Sequence, residues 1–120
     1  MTEEMQELGR RAVACKGWRW MPGMRCAFNE YEAWEYERLV GPTEGDGFVQ
    51  ASEVAIPDLA DAATVGCLLA LVQEAGALIR KLTILPACSS IVVDWPDGRL
   101  HQYRGTAYAD ALVAALEAAP

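Results

Sequence analysis

Four cysteines, one histidine and several paired carboxylates are the residues of this chain that could do chemistry. Cys15, Cys26, Cys67 and Cys88 lie far apart, and no C-x-x-C pair occurs. A zinc site as a rule shows at least one closely spaced ligand pair. The pattern therefore predicts no metal site. It predicts four reduced and mostly buried thiols, since cysteine often serves as a small buried hydrophobe. His101 is the only histidine. It falls in a predicted strand beside Pro96-Asp97-Gly98, facing solvent, whereas nucleophile-plus-base catalysis needs a positioned base.

The pairs Asp58/Asp61, Asp94/Asp97 and Glu35/Glu37 have spacings that suit a divalent ion or an acid–base couple. Asp58 and Asp61 flank a helix start and are explained by capping. Asp94 and Asp97 flank a hairpin. No third group converges on any pair. No G-x-S-x-G, P-loop or G-x-G-x-x-G sequence is present. Gly45-Asp46-Gly47 lacks the Lys-Thr/Ser and the helix start of a phosphate loop, and reads as a turn. The expectation is a protein that is not an enzyme, with no catalytic residue, no cofactor and no metal.

The distribution of charge is more informative. From residue 9 to 29 every charge is positive: Arg10, Arg11, Lys16, Arg19 and Arg25. From 30 to 46 the carboxylates Glu30, Glu32, Glu35, Glu37, Glu44 and Asp46 stand against Arg38 alone. Tyr31, Trp34 and Tyr36 are interleaved with them. Aromatics set among charges resemble the centre of an interface. The candidate partner-binding residues are Glu30, Tyr31, Glu32, Trp34, Glu35, Tyr36 and Glu37, and a partner with a basic surface would be steered to them. The competing reading is a solvated meander face whose aromatics turn inward. Trp18 and Trp20 in the basic stretch could grip nucleic acid by stacking. The net charge of −7 and pI near 4.6 oppose that, because nucleic acids and anionic membranes both need a positive surface. Packing of the first helix against the sheet is the better use of these tryptophans.

The elements that must position these residues follow from periodicity. Residues 3 to 16 read as a helix, with Met5, Leu8, Ala12 and Cys15 on one face, Thr2 as cap and Gly17 as stop. A small antiparallel meander over 18 to 55 follows. It holds strands at Met24 to Phe28, Trp34 to Val40 and Phe48 to Ala51. In the second of these Trp34, Tyr36 and Arg38 share one face, and Glu35, Glu37 and Leu39 the other. A middle helix starts at the N-cap Asp61 and stops at Gly76. It is apolar nearly all round and so expected to be central. Strands at Leu78 to Leu85, Ser90 to Trp95 and Arg99 to Tyr103 come next, the last two joined by the Pro-Asp-Gly loop. A last, alanine-rich helix starts at Thr106 as cap and carries Tyr108, Leu112, Val113 and Leu116.

The order is α, β-meander, α, β-meander, α: an α+β layered sandwich with antiparallel sheet. The length of 120 residues fits a single domain over 1–120, against roughly 100–200 residues per domain. The composition is 52% apolar and 22% charged, enough for a core that needs no metal or disulfide staple. No apolar run is free of polar residues over a membrane-spanning length, and the acidic start with Glu3, Glu4 and Glu7 is unlike a signal peptide. A cytoplasmic protein is expected.

Three segments carry a family resemblance. They are Leu8 through Met24 (LGRRAVACKGWRWMPGM), Pro57 through Val72, and Ala111 through Glu117. Together they resemble small phage and prophage proteins of the ABA-sandwich domain type, over about half of the chain. The resemblance implies a layered α/β/α sandwich of phage origin and carries no site residues. Residues 25–55 depart from it, and the acidic-aromatic segment lies there. The resulting expectation is a phage- or prophage-encoded accessory protein in the host cytoplasm that binds a host or phage protein with a basic surface. Its action would be stoichiometric inhibition of a nucleic-acid-binding defence complex of the CRISPR type. It would bind neither nucleic acid nor membrane directly. The alternatives are a structural or self-associating phage protein, for which a homodimer is the simplest form, and a carboxylate-metal enzyme.

Overall fold

The computed structural model describes residues 1–40 and 55–120. The predicted strand at Phe48 to Ala51, the Gly45 turn, Glu44 and Asp46 lie outside the described residues. The chain forms α1 (Glu3–Ala14), β1 (Arg25–Glu30), β2 (Ala33–Arg38), β3 (Ile56–Pro57), α2 (Ala62–Glu74), β4 (Leu78–Ile84), β5 (Ser89–Asp94), β6 (Leu100–Gly105) and α3 (Tyr108–Ala118). The strands make two antiparallel three-stranded sheets, ordered β2-β1-β3 and β4-β5-β6. This is the α+β architecture expected from the sequence. Among the described residues no helix is long and apolar enough to cross a membrane.

Local chemistry sets most element ends. The Thr2 hydroxyl accepts from the Met5 amide at 3.2 Å and starts α1. The Asp61 carboxylate accepts from the Thr64 amide at 3.0 Å and starts α2, each satisfying an orphan first-turn donor. α3 departs from expectation. Its N-cap is Ala107, not Thr106, and the Asp110 carboxylate reaches back to accept from the Ala107 amide at 3.0 Å. This is the reciprocal half of a capping box: the acid satisfies the N-cap amide and its charge suits the helix start, with no side-chain cap on the first-turn amides. α1 is shorter than predicted, giving way at Cys15 to a turn. The β5–β6 loop is the Pro96-Asp97-Gly98 turn, with Gly98 at φ +86° and the Trp95 amide donating to the Arg99 carbonyl at 2.9 Å.

The third strand of the first sheet is Ile56–Pro57, on the far side of β1 from β2. No alternation marked it, because two residues are too few to show a period of two, and proline is tolerated there because, among the described residues, β3 pairs on one side only.

The main core lies between the helices and the second sheet. Leu8, Ala12, Leu68, Leu71, Val72, Ile91, Val93, Trp95, Leu112, Val113 and Leu116 are all buried in it. The central helix is α3 rather than α2. α3 buries Ala109, Ala111, Leu112, Val113, Ala115 and Leu116, whereas α2 buries Thr64, Leu68, Leu71 and Val72. α3 lies on β5 and β6 and also touches α1 and α2. Its alanines permit close approach on several sides, a property that hydrophobicity alone does not reveal. Trp95 Nε1 donates to the Tyr103 hydroxyl at 2.8 Å inside this core, so the buried indole N–H is satisfied. Trp18 and Trp20 meet edge to face at 5.3 Å and pack, half-buried, against the same core.

Candidate functional site

The predicted partner-binding residues all fall on one hairpin, β1–β2. Its register pairs Arg25 with Arg38, Cys26 with Glu37, Ala27 with Tyr36, Phe28 with Glu35, Asn29 with Trp34 and Glu30 with Ala33. The two-residue loop is Tyr31-Glu32, at φ +52° and +65°. Such loops are normally Asn-Gly, because both positions need the left-handed region. A tyrosine and a glutamate there are held in an unfavourable conformation. Tyr31 is 95% exposed, and Glu32 is exposed beside it.

The hairpin does not bring the seven residues to one surface. Directly opposed residues share a face, so Trp34 and Tyr36 lie with Arg25, Ala27 and Asn29, and Glu35 and Glu37 lie on the other face with Phe28 and Cys26. The aromatic side is partly used by the protein itself. The Arg25 guanidinium sits 4.3 Å from the centre of the Tyr36 ring, a cation–π contact, and it also faces the Asp58 carboxylate at 3.7 Å. Tyr36 lines an open cleft of about 430 Å³ with Met5, Arg25 and Asp58. Trp34 is half-buried. Tyr31, Glu32, Glu35 and Glu37 are left facing solvent.

Electrostatics separates these acids from the rest. Arg10 pairs with Glu7, Arg11 with Glu117, Arg19 with Glu74 and Arg25 with Asp58. The basic run of the sequence is therefore largely neutralised by carboxylates brought in from distant segments. Arg38 is drawn to Asp61, away from the acids that surround it in sequence. Arg80 takes Asp94, and Arg99 takes Asp97. Among the described residues no cation comes within ion-pair distance of Glu32, Glu35 or Glu37.

Of the three carboxylate pairs considered for catalysis, Asp58/Asp61 and Asp94/Asp97 are engaged structurally. Asp58 accepts from the Ala60 amide at 3.2 Å, Asp61 caps α2, and Asp97 accepts from the Arg99 amide at 3.0 Å. Among the described residues no three His, Cys, Asp or Glu side chains gather to hold a metal. His101 is exposed and leans on the Tyr103 ring, centroids 4.6 Å apart.

The cysteines differ from the expectation of mostly buried thiols. Only Cys26 is buried; Cys15 and Cys67 are half-buried and Cys88 is exposed in the β4–β5 turn. Spacing gave no sign of this, because Cys15 falls just past the end of α1 and Cys67 lies on α2 beside the fully buried Leu68. Burial raises the Cys15, Cys26 and Cys67 thiols above their usual range, which keeps them protonated and poorly nucleophilic.

Comparison with protein-family models, with curated proteins and with solved structures finds no match. The functional reading therefore rests on the hairpin.

What sequence reasoning missed is the division of labour within the hairpin. Its alternation put the aromatics and acids on opposite faces, but only the fold shows that Arg25, from the neighbouring strand, occupies Tyr36. The loop Tyr31-Glu32 carries no turn signature in its residue types, so the sharp reversal there had no local signal.

Proposed function

We propose that this chain is a small accessory protein that acts by binding another protein through the tip and acidic face of the β1–β2 hairpin. The observation that carries the reading is the contrast in charge. The described arginines from Arg10 to Arg38 are paired within the fold, while Glu32, Glu35 and Glu37 face solvent with no cation in ion-pair reach among the described residues, on the hairpin whose tip carries an almost fully exposed tyrosine. An aromatic anchor at the hairpin tip, with Glu32 beside it and Glu35 and Glu37 further along β2, fits a partner pocket flanked by a basic surface. The unfavourable backbone at Tyr31 and Glu32 favours the same reading, since such conformations cluster at binding and switch regions.

The chemistry of the partner is that of a surface built to hold phosphate. A row of carboxylates competes for such a surface without binding nucleic acid itself. With the resemblance to phage ABA-sandwich proteins, this points to a phage-encoded stoichiometric inhibitor of a host nucleic-acid-binding complex, in the host cytoplasm.

The test is capture of partners from host lysate by the wild-type protein and by a Tyr31→Ser, Glu35→Lys, Glu37→Lys variant. The expected result is a basic partner retained by the wild type, released by added nucleic acid, and lost with the variant at an unchanged melting temperature. Equal capture by both proteins would place the interface elsewhere.

A further inference from the structure

The second sheet reaches one strand beyond the helices that cover it. By register Leu82 stands beside Ile91 and Tyr103, and Ile84 beside Ser89 and Gly105. Ile91, Ser89 and Tyr103 are buried, so Leu82 and Ile84 belong to the helix-facing side of the sheet. Yet α3 covers β5 and β6, and Leu82 and Ile84 remain 46% and 62% exposed. Leu85, next along the chain, is 56% exposed. Among the described residues β4 hydrogen-bonds only to β5. Its first half is guarded by the devices that protect sheet edges, a register irregularity between Ile79 and Lys81 and the cations Arg80 and Lys81. The second half, Leu82 to Ile84, and Leu85 after it have neither.

The geometry points to a second copy of this chain as the occupant, β4 pairing antiparallel with β4 about a two-fold axis at Thr83. An antiparallel pair of identical strands is self-complementary, as a two-fold interface requires. Centring on Thr83 sets Leu82 opposite Ile84 of the second copy, and Ile84 opposite its Leu82. Both pairs fall on the helix-facing side, where the overhang of each copy fills the gap left by the other. The two helix layers then lie on the same face of a continuous six-stranded sheet.

Charge permits pairing at this edge, and the exposed Leu82 and Ile84 on its helix-facing side supply the apolar contact. The chain carries −7 overall, but β4 has no carboxylate, so two acidic molecules meet here without opposing acids. The same register sets Lys81 opposite Leu85 of the second copy. The two Lys81 side chains then lie about four residues apart along the strands, roughly 13 Å at the usual rise and beyond a Debye length of about 8 Å. Arg80 is held by Asp94 of its own chain. One strand edge with a few apolar side chains falls below the roughly 1,200 Å² of a standard interface, so the dimer is weak and depends on concentration.

The inference uses a different surface from the hairpin, and the two stand or fall separately. Sedimentation of the full chain across a wide concentration range should show the mass rising from 13.1 kDa toward twice that value. Ile84→Lys should hold it at the monomer with an unchanged melting curve. In a Cys88→Ser background, oxidised Thr83→Cys should cross-link to itself and Lys81→Cys should not. A monomer at every concentration, a dimer indifferent to Ile84→Lys, or preferential cross-linking through Lys81→Cys would each overturn the proposal.

Discussion

Arg38, at the end of β2, grips Asp61, the residue that caps α2, through two contacts of 2.5 and 2.8 Å. The same carboxylate accepts from the Thr64 amide and hydroxyl, and the Thr64 hydroxyl accepts from the Arg25 amide at 2.8 Å. One carboxylate thus fastens the helix start to the first sheet. Arg38 also donates to the Gly23 carbonyl at 2.8 Å, which ties in the turn before β1.

This clamp should be visible in the acid stability of the protein. The Asp61 carboxyl is held well below the usual range, chiefly by the Arg38 hydrogen bonds, against the opposing effect of burial and with help from Thr64. Because the folded-state value is depressed, its contribution is full above the unfolded value of about 3.9 and is lost as pH falls through the acid range below it. Asp61→Asn keeps a capping oxygen but removes the charge, and should flatten the fall in melting temperature between pH 5 and pH 2. Asp61→Ala loses the cap as well and should cost about 1–2 kcal/mol at neutral pH. Thermal melts across that pH range check both. An Asp61→Asn curve parallel to wild type would mean that another carboxyl governs acid unfolding.

The hairpin tip should trade stability for binding. Left-handed backbone at a residue with a side chain costs roughly 1–2 kcal/mol, and both loop residues adopt it. Replacing Tyr31→Asn together with Glu32→Gly gives the loop the residues its geometry favours. The expected outcome is a higher denaturant midpoint, a gain of about 1–2 kcal/mol in all, with partner capture weakened because the anchor is gone. A variant no more stable than wild type would remove the backbone argument for function at this loop.

Two glycines should respond to alanine in opposite directions. A Cβ at Gly105, the end of β6, would fall 2.1 Å from Asp110 Cβ and 3.1 Å from the Ala111 amide nitrogen. The strand end and the first turn of α3 would have to separate, so Gly105→Ala should cost about 3 kcal/mol or more, the upper end for overpacking. Gly66, within α2, has nothing within 4 Å of the position of its would-be Cβ. There Gly66→Ala should stabilise by about 0.5–1 kcal/mol, the helix-propensity difference. Urea denaturation of both variants measures the contrast.

The sequence by itself determined what neighbours along the chain decide. Thr2 and Asp61 as caps, Gly76 as a stop and the Pro96-Asp97-Gly98 reversal were legible because each depends on hydrogen bonds or dihedral preferences within a few residues. Alternation in β2 was legible too, since its period of two is fixed by the backbone. Contacts across the fold were not. Arg11 meets Glu117 and Arg19 meets Glu74 because three helices and two sheets converge, and nothing local to Arg11 or Arg19 specifies those partners. The basic run in the sequence is therefore not a basic surface, while the acidic hairpin keeps its charge. The rank of the helices was decided the same way. α2 is the more continuously apolar, but α3 occupies the centre because its alanines let helices and strands approach from several sides. Burial is a property of the assembled layers, and only the tertiary structure assigns it.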